Sequence, residues 1–444
     1  MKKKKGDGKM TRTDHLIDKL VSFRQLSFIQ IVQRTMLTLF PIVLIGSIAG
    51  ILSAVFLSPT GFLGSTFHIK HWLTGYRFWR NIFGDINVVT VGFVAPYAAY
   101  VSAQLTARQS KGEIPAVGIS AMACYVLIFY HSVQQNGNII DMRYYTANWF
   151  IIGVLVGYLV GRFFVRFGRR IVLNDVQLKN NDILQSTFAN FMPILVTLTV
   201  AFFLHLGYAI VRQLGIDDAF NQCVLEILNN HSNYAMTMLI SFLATVLTWL
   251  GFAESINISN EMFRSEIFAN LNYALTHKTN VNVPYPFTPA ALYNGFGLFG
   301  GVGIGLALLI AIIWVSHHHN QRAVAQASLL PVFFNTNLPL TMGAVVMLNP
   351  IYLLPFVFLP LFNMLVASGL IMLHVLPPLV YPSPVGTPGI LVSLIGTGGD
   401  WLALFWSVLL LIVDVLVYIP FVKLADRVED RLIDERTGEQ HAKD

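Results

Sequence analysis

Residues 331–350 read PVFFNTNLPLTMGAVVMLNP. Asn335 and Asn337 stand one residue apart just ahead of Pro339, and a second Asn-Pro pair, Asn349-Pro350, closes the run. Each proline removes a backbone donor and leaves a carbonyl without its helical partner. In lipid, such broken backbone survives only where protein buries it or where it lines a polar cavity. An uncharged amide there offers two donors and an acceptor, which suits a hydroxyl-rich ligand. The stretch therefore points to a sugar site inside a membrane protein.

The rest of the chain agrees with a membrane setting. Of 444 residues, 55% are hydrophobic and 12% charged, where a soluble domain carries roughly 25% charged residues. Apolar runs long enough to span a bilayer recur at 38–57, 87–106, 114–131, 147–168, 189–211, 235–253, 292–315, 340–359, 360–380 and 401–421. The expected fold is an all-α integral membrane protein of about ten transmembrane helices plus re-entrant segments. The start, MKKKKGDGKM, leads into a polar stretch, so no cleavable signal peptide is expected. Two cysteines, Cys124 and Cys223, make neither a disulfide framework nor a metal cluster.

Charge sets the orientation. Basic residues gather at Lys2 to Lys5, Lys9 and Arg12, at Arg162, Arg166, Arg169 and Arg170, and at Lys423, Arg427 and Arg431. Short basic flanks stay in the cytoplasm, and ten crossings put all three clusters, with both termini, on that side. The same alternation puts SHHHNQR, residues 316–322, outside, against the weak inside preference of Arg322 and the imidazoles. A re-entrant segment between 254 and 291 would repair the parity. The net charge of +6 is accounted for by topology and anionic lipid and calls for no nucleic acid.

The chain divides into a cytosolic segment 1–36, an N-terminal membrane half 37–230 expected to dimerise, a C-terminal half 231–424, and a charged cytosolic tail 425–444. The C-terminal half holds the broken stretches GFGLFGGVGIG at 295–305 and YPSPVGTPGI at 381–390. Discontinuous helices of this kind mark the substrate half of a transporter.

At this point the chain resembles a family, the membrane (IIC) subunits of bacterial phosphotransferase-system sugar permeases, in their lactose, cellobiose and chitobiose branch. FPIVLIGSIAGIL at 40–52 is similar to the family's first span. Gly300, Gly301 and Gly303 fall at its GGxG turn after an aromatic-Asn pair, here Tyr293-Asn294. FNTNLP at 334–339 is similar to FNINEP, and LNP at 348–350 to the NP that follows. Pro384, Thr387 and Pro388 fit a WTTP-type re-entrant loop, and TGGDW at 397–401 and YIPF at 418–421 fit the last span. The resemblance implies a homodimeric carrier in the bacterial cell membrane. It would take a di- or oligosaccharide such as cellobiose or chitobiose for phosphorylation by cytosolic IIA and IIB subunits. The chain itself would be no enzyme, since the phosphoryl-bearing residue belongs to IIB, and no cofactor or metal is expected. The expected substrate-binding residues are Asn335, Asn337, Glu254, Thr387, Gly300, Gly301 and Asn294.

Two positions depart from the pattern. The family glutamate that contacts the hydroxyl to be phosphorylated is Leu338 here, and the family histidine of GIHG aligns with Ala253. Positioning a general base contributes about 10²–10⁴-fold in rate. Three explanations stand open: Glu254 takes over the carboxylate role, the ligand differs, or the chain is a carrier uncoupled from phosphorylation or a non-transporting scaffold or sensor.

Other residues have plainer readings. Glu254 ends an apolar run and fits a water-facing helix end as well as a ligand. Asn257, Asn260 and Glu261 line the site or cap a helix. Asp414, mid-span, is expected in an interhelical hydrogen bond rather than a proton relay. His205 and His374 read as core residues. His317 to His319 make no metal site, because adjacent histidines on a helix diverge and no Cys or Asp flanks them. Trp249 and Trp401 are sugar platforms or, more commonly, interfacial anchors.

Overall fold

The computed structural model describes residues 12–109, 116–134, 138–140, 142–167, 188, 190–214, 234–252 and 264–441, and these form a helical bundle. Among the described residues, six helices are long and apolar enough to cross a membrane and three shorter apolar helices accompany them. The polar helix α1 (Arg12–Arg24) turns into α2 (Ser27–Ile51), which ends in a π-turn at Leu52–Phe56. A tight turn at Val91–Phe93 separates α3 (Tyr76–Thr90) from α4 (Val94–Arg108). Next come α5 (Val117–Ile128), a small antiparallel hairpin of β1 (Ser132–Gln134) and β2 (Asn138–Ile140), α6 (Phe150–Phe167), α7 (Phe191–Gln213) and α8 (Tyr234–Trp249). The second part holds α9 (Arg264–His277), α10 (Gly305–Val315), α11 (His319–Ala327), α12 (Pro350–Met372), α13 (Gly389–Gly396) and α14 (Trp401–His441).

Small residues set the closest helix contacts. A Cβ on Gly153, Gly157 or Gly161 of α6 would strike the carbonyl oxygens of Ala95, Ala99 or Ala103 of α4. Repeats of this spacing let two backbones touch, and packing contact drives association where lipid removes the hydrophobic effect. Gly46 and Gly50 of α2 face Thr90 and Asn87 of α3 in the same way, and Asn87 Nδ2 donates to the Gly46 carbonyl at 2.8 Å. The second part has its own core, in which Ile312 of α10, Phe356 of α12 and Tyr418 of α14 are buried together. Within it Asp414 is fully buried and accepts Asn363 Nδ2 at 2.8 Å. The same amide nitrogen donates to the Phe296 carbonyl at 3.2 Å. The Asn363 amide thus ties α12 to α14 and to the glycine-rich stretch, and the Asp414 carboxyl takes part in an interhelical hydrogen bond.

The structure redraws two of the expected crossings. The runs at 340–359 and 360–380 are one helix, α12, which starts at Pro350 after the Asn349 cap, whose side chain accepts from Ile351 N. Pro355 and Pro360 stay inside it, since neighbouring helices satisfy the carbonyls that intramembrane prolines free. The run at 292–315 is broken by a π-turn at Tyr293–Gly297 and by Gly300, Gly301 and Gly303, all at positive φ. Only the 11 residues of α10 remain regular, about 16 Å of helix.

These changes correct the topology of SHHHNQR. It lies at the same end of the bundle as α1 and the last part of α14, not opposite them. His317 and His318 meet Asp426 and Asp430 near the end of α14, and Arg24 of α1 pairs with Glu429 at 2.9 Å. The stretch 319–349 is a helical hairpin whose two arms, around Val324 and Gly343, border one cavity at that end. Asn335 and Asn337 sit at the tip of this hairpin. Part of the stretch 254–291, where a re-entrant segment was expected, lies outside the described residues.

Candidate functional site

The hairpin tip is built around two amides. Asn335 has φ +62°, a left-handed conformation that Asn adopts more readily than most residues. Its Oδ1 accepts the Gly300 N–H at 2.8 Å, and its Nδ2 donates to the Thr387 carbonyl at 3.0 Å. Asn337 is only 5% exposed and donates through Nδ2 to the Val302 carbonyl. A Cβ on Gly301, at φ +97°, would come 2.7 Å from Asn337 Cγ. The glycine-rich stretch, the hairpin tip and the Pro384–Pro388 loop therefore meet at these two side chains. The Asn335 amide is spent on the scaffold. Asn337 gives the scaffold a donor, and its Oδ1 accepts no hydrogen bond among the described residues.

A cavity of about 370 Å³ opens beside the tip. Asn335, Thr336, Asn337, Leu338 and Gly386 form one wall, and Ser47 and Gly50 of α2, Asn87 of α3 and Asn148 form the other. The Ser47 hydroxyl is buried without a partner among the described residues. The Asn148 amide and the Thr336 hydroxyl likewise make no side-chain hydrogen bond there. Ile51, Val55, Phe334 and Met347 supply apolar surface between these groups. A few convergent polar groups in an apolar pocket of 300–1,000 Å³ are the usual build of a small-ligand site. With no charged side chain among the residues lining it, the set suits an uncharged ligand rich in hydroxyls.

The structure brings together Asn335, Asn337, Gly300 and Gly301 and arranges the others differently. Thr387 is 2% exposed, and its hydroxyl donates to the Pro384 carbonyl at 2.8 Å. Its neighbour Gly386, not Thr387, lines the cavity. Asn294 lines a separate pocket of about 50 Å³ with Asn270, Thr288 and Tyr381. Glu254, Ala253, Asn257, Asn260 and Glu261 lie outside the described residues. Trp249 donates its indole N–H to the Asn349 carbonyl at 3.1 Å and fastens α8 to the start of α12. Trp401 is 74% exposed at the start of α14.

Sequence reasoning missed Ser47, Asn87 and Asn148, which sit in the first 150 residues. A polar signal existed for Asn87, in the GDIN of 84–87. Nothing in the local sequence connects Ser47 or Asn148 to a tip nearly two hundred residues or more away.

A membrane bundle of broken helices around an amide-lined cavity has the build of a carrier. The family model described as phosphotransferase system, EIIC, matches residues 33–360, and the chain belongs to that family. A cellobiose-specific EIIC component of the phosphotransferase system from Lactococcus lactis subsp. lactis (strain IL1403) is 34% identical over 142 residues, 32% of this chain and 29% of that protein. A lactose-specific EIICB component from Staphylococcus epidermidis is 31% identical over 143 residues, 32% of this chain and 24% of that protein. The match thus spans under a third of these curated relatives. A crystal structure of the transporter ChbC, the IIC component of an N,N'-diacetylchitobiose-specific phosphotransferase system, aligns with TM-score 0.41 and 17% identity over 95% of this chain and 98% of that one.

Proposed function

We propose that this chain binds a disaccharide of the cellobiose, lactose or chitobiose kind in the cavity beside Asn337. On this reading it carries the sugar across the bacterial cell membrane for phosphorylation by cytosolic IIA and IIB partners. The observation that carries the proposal is the 370 Å³ cavity itself. In a chain of the EIIC family it sets unpaired amide and hydroxyl groups against apolar walls. Two matched relatives bear the names cellobiose-specific EIIC and lactose-specific EIICB, which favours a disaccharide. The second name also favours a IIB partner as the bearer of the phosphoryl group. Leu338 lines the cavity without filling it, which favours a working carrier over a scaffold or sensor.

The finer parts belong to the same proposal. α1 and the last part of α14 share one end of the bundle with SHHHNQR, and the basic Arg24 and Arg431 there support a cytoplasmic location for both termini. We read α7, whose Val200, Phe202 and Phe203 are exposed, as meeting lipid or a second copy in a homodimer. Residues 37–230 serve as the scaffold half and 231–424 as the moving half, with the cavity on their shared boundary.

The test is exchange of labelled cellobiose, lactose and diacetylchitobiose by purified protein in liposomes. Exchange of at least one is expected, and Asn337→Leu abolishes it while leaving the protein's elution profile unchanged. If no saccharide binds or moves although the protein is folded, the carrier reading is wrong.

A further inference from the structure

SHHHNQR was set aside as a metal site on two grounds, divergent helical side chains and no acidic ligand nearby. The fold removes both. Ser316, His317 and His318 are not helical but link α10 to α11. The rings of His317 and His318 lie side by side, 4.4 Å between centroids. From α14, over a hundred residues on, Asp430 reaches them: its Oδ1 is 3.3 Å from Nε2 of both rings. One ligand atom from each of the three residues falls within 4.8 Å of the others.

We propose that His317, His318 and Asp430 hold a divalent transition-metal ion, with Zn²⁺ the best match, at the end of the bundle where α1 meets the last part of α14. The spacing carries the argument. Ligands about 2.0–2.1 Å from a tetrahedral ion lie about 3.3–3.4 Å apart, which is the separation of the Asp430 oxygen from each imidazole nitrogen. Two imidazoles and one carboxylate select zinc, cobalt or nickel over calcium and magnesium, which prefer all-oxygen shells.

A second carboxylate completes the arrangement. Asp426 is 2% exposed. It accepts from the Ser316 hydroxyl at 3.0 Å and from the His317 backbone N–H at 3.1 Å, and it lies 3.0 Å from His317 Nδ1. Asp426 thus stands behind the ring at Nδ1, turning Nε2 toward Asp430, and Nε2 gives up its proton when it ligates the ion. Metal-bound histidines are typically oriented by such a carboxylate behind them. His318 Nε2 also lies 3.4 Å from the Asp426 carbonyl oxygen, which only accepts, so binding the ion displaces a proton from that nitrogen. His317 is 60% and Asp430 50% exposed, so an ion can enter from solvent and retain a water or partner ligand in the remaining position. The ion would clasp the α10–α11 link to α14, and none of its three ligands lines the cavity, so this proposal stands apart from the carrier reading.

The experiment uses the full chain, purified without a polyhistidine tag and stripped with chelator, then titrated with Co²⁺ and with Zn²⁺. One ion per chain is expected, with the visible d–d absorption of tetrahedral cobalt displaced by zinc. His318→Gln and Asp430→Asn should each weaken binding at least tenfold. Asp426→Asn, which leaves the ligands in place, should weaken it by about 10–100-fold. Saccharide binding should be unchanged in His318→Gln. Absence of the cobalt band in the unmodified protein would overturn the proposal, as would equal metal binding by a His317→Gln/His318→Gln double variant of unchanged elution.

Discussion

The Asn335 side-chain oxygen accepts the Gly300 backbone N–H at 2.8 Å, joining segments 35 residues apart in sequence. The other end of the same amide holds the Thr387 carbonyl. One side chain thus pins the glycine-rich stretch and the Pro384–Pro388 loop to the hairpin tip, and the cavity wall depends on it.

Asn335→Ala should lower thermal stability by about 1–3 kcal/mol for each group it leaves unpaired. Asn335→Gly loses the same two bonds but accepts φ +62° freely, so it should be less harmful than the alanine variant. Melting in detergent, followed by size-exclusion fluorescence, measures both. Equal loss in the two variants would show that the left-handed backbone at 335 contributes nothing.

Gly301→Ala combines a strained φ of +97° with a Cβ 2.7 Å from Asn337 Cγ. Gly75→Ala carries the strain alone, since at φ +75° nothing lies within 4 Å of its Cβ. Saccharide binding should survive the second substitution, with stability down by about 1–2 kcal/mol. It should be lost in the first, because Asn337 must move. Retained affinity in Gly301→Ala would mean that Asn337 is not part of the site.

Leu338 is half-buried and borders the cavity, so a glutamate there has room to reach a bound sugar. Leu338→Glu should raise sugar-dependent phosphoryl transfer, with IIA and IIB supplied, toward the 10²–10⁴-fold that a positioned general base typically gives. An unchanged rate would show that another group already orients the reacting hydroxyl. Glu254→Gln is the variant to try next.

Asp414 and Asn363 make a separate case. If the carboxyl serves only to hold helices together, Asp414→Asn should leave transport and its pH profile intact, since an amide can still accept from Asn363 Nδ2. Asn363→Leu leaves the carboxyl and the Phe296 carbonyl without that donor, and stability should fall by about 1–3 kcal/mol or more. Transport that became independent of pH in Asp414→Asn would point to a proton relay after all.

How far the sequence could be read depended on the range of the interactions. The runs that became α6 and α7 were placed within three residues, because a continuous apolar stretch between polar flanks decides a crossing locally. The stretch 331–350 announced a broken backbone through its asparagines and prolines. Whether it crosses or turns back depends on what it packs against, and local composition carries no trace of that. Two spans expected at 340–380 became one for this reason. At the site, Asn335 and Asn337 were legible because amides are conspicuous in apolar surroundings. Ser47 and Asn148 were not, since a serine in a helix and an asparagine in a loop are unremarkable until the fold sets them opposite the tip. The acidic partners of the histidines at 317 and 318, Asp426 and Asp430, were not legible because they lie over a hundred residues away.

The two-sided cavity wall also bears on how the protein is made. Ser47 and Asn87 are synthesised some three hundred residues ahead of Asn337 and Gly386. At about 5–20 residues per second, the interval is roughly 15–60 s. During that time the polar groove of α2 and α3 sits in the membrane without its counterpart. Other nascent segments, or the insertion machinery itself, must shield it until the hairpin arrives. A ribosome halted short of residue 331 should therefore hold a first part that is inserted but unable to close, and that is the stage at which quality control would find an exposed hydroxyl and amide to act on.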